Sequence, residues 1–154
     1  MSKFADSIYK LNNNPFVFSP LFIQAYKNFV QIEKNILLSY LILPLVLNQN
    51  SCKSLKYSKS NSSMQTFSSK NENLFGLTDR IELYKPITNL CLQYLIDNKV
   101  FTLNENLSII IENTDRIPGT NRKDDYMKAA AKIHNIFKDF DVISIYRELG
   151  VKKL

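Results

Sequence analysis

The chain has 154 residues, of which 45% are hydrophobic, 12% aromatic and 22% charged, a balance typical of a globular domain rather than of a collagen-like or disordered chain. Its three glycines, at positions 76, 119 and 150, are too far apart for a glycine-rich phosphate-binding loop. One histidine and two cysteines supply too few ligands for a zinc site built by the protein alone. These counts predict a single domain spanning residues 1–154, without nucleotide-loop or zinc chemistry.

The basic charge of the chain has two interpretations. Twenty lysines and arginines against fourteen acidic residues give a formal net charge of +6. The functional interpretation is attraction to nucleic acid or to an acidic protein partner. The alternative is lysine enrichment that follows the base composition of an AT-rich genome, and the sequence leaves both open.

The cysteines and the N-terminus predict a cytoplasmic protein. Cys52 and Cys91 lie far apart, without the C-x-x-C spacing of metal or redox motifs. No apolar run follows the charged stretch Met1–Lys10, as it would in a secretory signal. We therefore expect two free thiols in a reducing compartment.

The N-terminal part of the chain predicts two apolar helices. Ser19 and Pro20 form a typical cap and first position of a helix, which the pattern carries to Asn35. The run Ile36–Leu47 follows, and its twelve residues fall short of the roughly 20 that span a bilayer. We expect a buried core helix that Pro44 kinks or ends, and no membrane segment.

Residues 48–73, rich in serine, lysine and asparagine, predict a loop insertion. Lys53, Lys56 and Lys59 follow one another at intervals of three, which would align them on one side of a turn. They are candidate contacts to DNA or to another phosphate. The alternative is a solvated, flexible loop anchored by Met64 and Phe67.

The next segment predicts a helix followed by a β-hairpin. Pro86 is expected to open a helix through Asp97. The β-rich runs 100–103 and 107–112 then flank the polar turn 104–106. This order indicates a mainly α (α+β) fold, a helical domain with a winged-helix-like two-stranded hairpin. Because the helix lacks basic residues over positions 87–96 and the turn reads Asn-Glu-Asn, a protein–protein module is favoured over DNA readout.

The C-terminal segment 139–154 is predicted to dock on a partner. Asp141 suits the cap of a short last helix that Gly150 terminates. Lysines at 152 and 153 would rim its apolar face, as is usual at interfaces. The alternative is that this face closes the core of the domain itself. The face consists of Val142, Ile145, Tyr146 and Leu149.

No catalytic set is evident. Cys91 lies on an apolar face, where a thiol stays inert, and only His134 could serve as a base for Cys52. Asp124 and Asp125 are adjacent, so they point to different sides of the helix they begin. We therefore expect no catalytic, cofactor-binding or metal-binding residues, and no enzyme activity.

Several segments together resemble a known family. They are Asn14-Pro15 before a helix carrying Tyr26, the segment Tyr40–Leu47 (YLILPLVL), Ser63-Met64, the helix and hairpin, Ala130–Phe137, and Ile145–Val151. In this pattern the chain resembles the small middle component of bacterial three-component ABC-ATPase conflict systems, of which Lamassu antiphage defence is the best known.

The resemblance implies a non-enzymatic adaptor. Its partners would be an SMC-like ABC ATPase that senses foreign DNA and an effector subunit, often a nuclease, held inactive until the ATPase changes state. DNA would be reached only indirectly, through the complex. The alternative function is a winged-helix DNA-binding transcriptional regulator.

Overall fold

The computed structural model describes residues 14–152, so the stretch Met1–Lys10 and the lysine at 153 lie outside the described residues. The fold is mainly α-helical with one small antiparallel hairpin, which confirms the predicted class. Its α-helices are α1 (Pro15–Tyr26), α2 (Ser39–Val46), α3 (Gln49–Lys56), α4 (Met64–Ser68), α5 (Asn71–Leu74), α6 (Leu77–Asp97), α7 (Asp125–Lys132), α8 (His134–Phe137) and α9 (Val142–Glu148). Strands β1 (Phe101–Leu103) and β2 (Ile109–Ile111) form the hairpin, and Asn35–Leu38 and Thr114–Arg116 are 3₁₀ turns.

Helix α1 begins earlier than predicted and ends sooner. The side-chain oxygen of Asn14 accepts a hydrogen bond from the amide of Phe16 at 3.0 Å, and Pro15 takes the first helical position. The cap and first-turn proline that the sequence predicted at Ser19 and Pro20 are therefore supplied five residues upstream, by Asn14 and Pro15. The helix ends at Tyr26, and an irregular segment leads to the first 3₁₀ turn.

The apolar run at 36–47 forms the centre of the core, as predicted. Leu41, Ile42 and Leu43 in helix α2 are fully buried. Pro44 lies inside the helix, which continues for one more half-turn to Val46 before it ends. No helix within residues 14–152 is long and apolar enough to cross a membrane.

Residues 48–73 contain three short helices, so the predicted loop is wrong in its secondary structure. The side chain of Asn48 accepts from the amide of Ser51 at 3.0 Å, and Ser63 accepts from the amide of Thr66 at 3.2 Å. Serine and asparagine, which read as loop residues in a sequence, here cap the helices α3 and α4. The predicted anchors of this segment, methionine 64 and phenylalanine 67, are both buried.

Helix α6 is longer than predicted because it starts after Gly76. That glycine adopts a positive φ of 66°, which lets the chain turn from α5 into α6. Pro86, the predicted first residue, lies exposed in the middle of the helix. One side of α6 packs against α1 and α2. The buried residues on that side are Leu77, Ile81, Ile87, Thr88, Cys91, Leu92 and Leu95.

The predicted hairpin is confirmed, with Phe101 paired to Ile111 and Leu103 to Ile109. Its turn is bonded to the segment before α2. The amide of Lys34 donates to the carbonyl of Asn106 at 2.8 Å, and the side-chain oxygen of residue 35 accepts from the amide of Ile109 at 2.8 Å. The hairpin is therefore fastened to the domain at its tip as well as at its base.

The predicted cap at Asp141 is confirmed, and Asp124, predicted only to lie in the first turn of its helix, is also a cap. Asp124 accepts from the amide of Met127 at 3.1 Å and begins α7, and Asp141 accepts from the amide of Ser144 at 2.8 Å and begins α9. Gly150, with φ of 76°, ends the last helix as predicted. Within the described residues, the buried apolar side chains of all these elements form one continuous core.

Because several ionisable side chains are buried, we expect the protein to lose stability at alkaline pH. Burial raises the pKa of the Cys91 thiol to about 12 and raises the pKa values of the Tyr26 and Tyr146 hydroxyls. A group whose pKa is raised on folding contributes its full stabilisation while the pH is below its pKa in the unfolded chain, which is near 9 for cysteine and 10 for tyrosine. This stabilisation is lost as the pH rises toward the pKa of the group in the folded protein.

We therefore expect the free energy of unfolding in urea to fall between pH 8 and pH 11, by about 1.4 kcal/mol per pH unit for each group that titrates. Replacing Cys91 by alanine should make this dependence on pH shallower. An unfolding free energy that stays constant over the range would contradict the prediction.

Candidate functional site

The serine- and lysine-rich segment builds a polar groove. Helices α3, α4 and α5, the loop between α3 and α4, and Ile136 of α8 line an open groove of about 420 Å³. Its walls are mostly hydroxyl and amide groups, with the side chains of Lys53 and Lys70 and the single carboxylate of Glu72. We call this feature the serine–lysine groove. A surface of this composition offers donors to an anion.

The three lysines singled out in the sequence do not act alike. Lys56 forms an ion pair with Asp125 of helix α7 at 2.9 Å, and this contact raises the pKa of the lysine. Lys53 and Lys59 are exposed and make no ion pair within residues 14–152. The predicted basic strip is therefore divided. Two of its lysines face solvent, and the third joins α3 to α7.

Two further lysines approach the same place, and the sequence did not indicate them. The ammonium group of Lys132 donates to the backbone carbonyl of Lys56 at 2.9 Å, and that of Lys138 donates to the carbonyl of Ser60. Both come from more than seventy residues along the chain. No short-range pattern could reveal this, because the fold alone brings α7 and α8 to the end of α3.

A second depression, of about 890 Å³, lies between α3 and the start of α7 and shares Lys53 with the groove. Its two acidic residues are already engaged. Although burial opposes ionisation, hydrogen bonds from Arg122 and from the amide of Met127 hold the pKa of Asp124 below its usual value. Asp125 pairs with the lysine at 56. The adjacent carboxylates therefore cap a helix and join two helices, which are structural roles.

The cysteines and the histidine lie in structural surroundings. Cys52 and Cys91 are buried free thiols, and burial raises the pKa of both. The Nδ1 atom of His134 lies 2.9 Å from the carbonyl oxygen of Ala131. Among the residues that the structure describes, no three His, Cys, Asp or Glu side chains cluster closely enough to hold a metal ion.

The four apolar residues predicted to dock on a partner lie in the core of the domain. Val142, Ile145, Tyr146 and Leu149 are each 8% exposed or less. The hydroxyl of Tyr146 donates to the carbonyl oxygen of Leu37, which fixes α9 against the first 3₁₀ turn. Of the two alternatives that the sequence left open, burial favours closure of the domain's own core.

The outer side of α9 nevertheless borders a groove of about 500 Å³, which we call the C-terminal groove. Leu37, Ile143 and Val151 give it apolar walls, and Arg147 and Lys152 add positive charge. Ile143 is 60% exposed. Any docking by the segment 139–154 would therefore centre on the exposed Ile143 and this rim, and the buried Val142 and Tyr146 would contribute only the small edges that line the groove.

Comparison with known families gives one match. The family model described as ABC-three component (ABC-3C) system Middle Component 3 matches residues 2–153. Searches of curated proteins and of solved structures gave no significant match. The match covers almost the entire chain and agrees in general kind with the resemblance seen in the sequence. The chain therefore belongs to the Middle Component 3 family of ABC-three component systems.

Proposed function

We propose that this chain is a non-enzymatic adaptor subunit of a Lamassu-type antiphage defence complex. It joins an SMC-like ABC ATPase to an effector subunit with nuclease activity and helps to keep the effector inactive until the ATPase engages foreign DNA in the cytoplasm. The observation that carries the proposal is the family match over residues 2–153, because a component of a three-component system implies association with the others.

The surface of the domain supports an adaptor. Ten large hydrophobic side chains among the described residues are exposed, and they belong to several different elements. One of them, Ile143, borders the C-terminal groove, whose rim is basic. An apolar centre with a charged rim is the usual composition of a protein interface.

A reconstitution tests the adaptor role. This chain, the ABC ATPase and the third component encoded with it are co-expressed with an affinity tag on the ATPase. We expect the third component to be recovered with the ATPase only when this chain is present. Equal recovery of the third component in its absence would contradict the adaptor role.

The serine–lysine groove supports a part in holding DNA within the assembled complex. The exposed Lys53 lines the groove, and the exposed Lys59 lies beside it in the loop after α3. The ammonium groups of lysines 132 and 138, held on the carbonyls of residues 56 and 60, add positive charge nearby. Contacts of this kind bind the phosphate backbone without reading sequence. These contacts would then strengthen the binding of the complex to DNA without selecting the DNA sequence to which it binds.

Reversing the charge of Lys53 and Lys59 tests this contribution. The double change to glutamate should weaken DNA binding by the complex for all sequences and should reduce the slope of log K against log salt by about two. Lys56 is left unchanged because it pairs with Asp125. The matched control is Lys27→Glu with Lys99→Glu, two exposed lysines outside the groove. The same loss in the control would show a general effect of net charge.

The alternative of a winged-helix transcriptional regulator has less support. A recognition helix needs basic side chains on its exposed face, whereas the charged residues on the outer face of α6 are mainly acidic. A wing must also be free to reach DNA, and the tip of this hairpin is bonded to residues 34 and 35. Specific binding of the isolated chain to a DNA operator would favour the regulator.

A further inference from the structure

The outer face of helix α6 has an apolar centre. Leu83 is 63% exposed and Leu90 is 48% exposed, although the opposite side of the same helix is packed into the core. The two leucines are seven residues apart, so they lie on the same side of the helix, and the exposed Pro86 lies between them. Over its 21 residues α6 presents a surface about 30 Å long.

An aromatic pair extends this surface sideways. The ring of Phe16 in α1, 61% exposed, meets the ring of Tyr94 edge-on with centroids 5.0 Å apart. Tyr94 follows Leu90 by four residues and is therefore its neighbour on the helix surface. The apolar stripe thus continues from α6 onto the first turn of α1.

The charges around the stripe are mainly negative. Asp79 and Asp97 lie at its two ends and Glu82 lies beside its centre, all on the exposed side. Lys85 pairs with Glu82 at 3.1 Å, and neither aspartate makes an ion pair within the described part of the chain. The face therefore carries an excess of negative charge in a chain whose formal net charge is +6.

The proline adds an acceptor. Because Pro86 has no amide hydrogen, the carbonyl oxygen of Glu82 lacks the donor that a continuous helix would supply. Since Pro86 is exposed, this oxygen lies at the margin of the stripe. It can accept a hydrogen bond from a lysine or arginine that approaches the stripe.

We propose that this outer face binds an amphipathic helix with an apolar seam and basic flanks, contributed by another component of the same ABC-three component system. The inference rests on the proposed adaptor function and adds the chemistry of one of its interfaces. The leucines, the proline and the aromatic pair would pack against the seam, and the carboxylates would pair with the flanking cations.

A second copy of this chain fits the face less well. In an antiparallel pair related by a two-fold axis near residue 88, Asp79 would lie opposite Asp97 of the other copy. In a parallel pair each carboxylate would meet its own equivalent. Both arrangements place like charges together, whereas a basic helix places opposite charges together.

The test uses the complete three-component complex. The variant Leu83→Glu with Leu90→Glu introduces two charges into the stripe, and Asp79→Lys with Asp97→Lys reverses its ends. Val30→Glu is the control, because Val30 is 54% exposed and belongs to a different part of the surface. We expect both double variants to weaken binding of one other component tenfold or more, with unchanged melting temperature and with no loss for the control.

A photo-crosslinking residue at position 90 identifies the occupant. We expect the crosslink to enter a lysine- or arginine-rich helix of the ATPase or of the third component. Wild-type binding by both double variants, or a crosslink to a second copy or to an acidic segment, would overturn the inference and leave the adaptor function intact. If the wild-type chain assembles with neither component, the adaptor function itself fails.

Discussion

Alanine at both Tyr146 and Leu149 should leave little of the protein folded at 37 °C. Both side chains are buried in the core, and each truncation should cost about 2–5 kcal/mol in the free energy of unfolding. Tyr146 also loses its hydrogen bond to the carbonyl of Leu37. The summed loss is comparable with the whole stability of an ordinary domain, about 5–15 kcal/mol.

Urea unfolding monitored by circular dichroism measures this loss, with Leu41→Ala as a reference in the centre of the core. Single variants are needed if the double variant is too unstable to purify. Tyr146→Phe keeps the ring and removes only the hydroxyl, so it should cost about 1–2 kcal/mol. We expect the double variant to be destabilised at least as much as the reference.

Ile143→Glu is the matched surface change on the same helix. Its side chain is exposed, so the free energy of unfolding should stay within about 0.5 kcal/mol of the wild type. Loss of a partner by this variant would place an interface at the C-terminal groove. The opposite pattern, a stable Tyr146→Ala, Leu149→Ala variant that no longer binds a partner, would show that the buried face docks after all.

Local signals in the sequence were sufficient for the caps, the hairpin and the core. Asp124 and Asp141 each accept a hydrogen bond from an amide three residues on, an interaction that depends on neighbouring residues alone. The hairpin follows from two β-rich runs around a polar turn. The apolar run at 36–47 has almost no polar residues, so it has no other stable place than the core.

The predictions were wrong where a local signal has two meanings. Proline is favoured at the first turn of a helix, yet Pro86 lies in the middle of α6, where it faces solvent. Serine and asparagine are typical of loops and of N-caps, and in the segment 48–73 Asn48 and Ser63 are caps. Tertiary packing decides which of these structural roles a residue takes, and a short stretch of sequence does not show that packing.

The candidate site was predictable only in part. Lys53 and Lys59 are exposed, in agreement with a basic surface, but the ion pair that removes Lys56 from it depends on Asp125, which is distant in the sequence. The acidic and apolar face of α6 was visible only as an absence of basic residues. That this face is an exposed apolar surface could be seen only in the structure, in which Leu83 and Leu90 are not covered by other residues.

Arg80 ties the serine-rich segment to the core, so replacing it by methionine should have the second largest effect. Its guanidinium donates to the carbonyl oxygens of Pro44, of Asn73 at 3.0 Å and of Phe75 at 3.1 Å. These three acceptors belong to α2, to α5 and to the turn between α5 and α6. Burial lowers the pKa of Arg80, so the surrounding carbonyls are what compensate for the partly desolvated charge.

Methionine matches the length of the arginine stem and leaves the three carbonyls without donors, at a cost of about 2–4 kcal/mol in the free energy of unfolding. The free energy of unfolding of Arg80→Lys should lie between those of the wild type and of Arg80→Met. A lysine ammonium group can still donate to one or two of the oxygens, but it cannot reach all three as a planar guanidinium does. Arg116→Met is the control, since Arg116 is exposed and donates only to the carbonyl of Asn98.

Hydrogen exchange distinguishes a local effect from a global one. In Arg80→Met the amides of residues 49–75 should exchange faster than those of α1, because the bonds that hold α5 against α2 are lost first. The serine–lysine groove would open with them, so DNA binding by the complex should weaken even though Lys53 and Lys59 are unchanged. If exchange accelerates equally in all helices, Arg80 stabilises the fold as a whole and has no special role in shaping the groove.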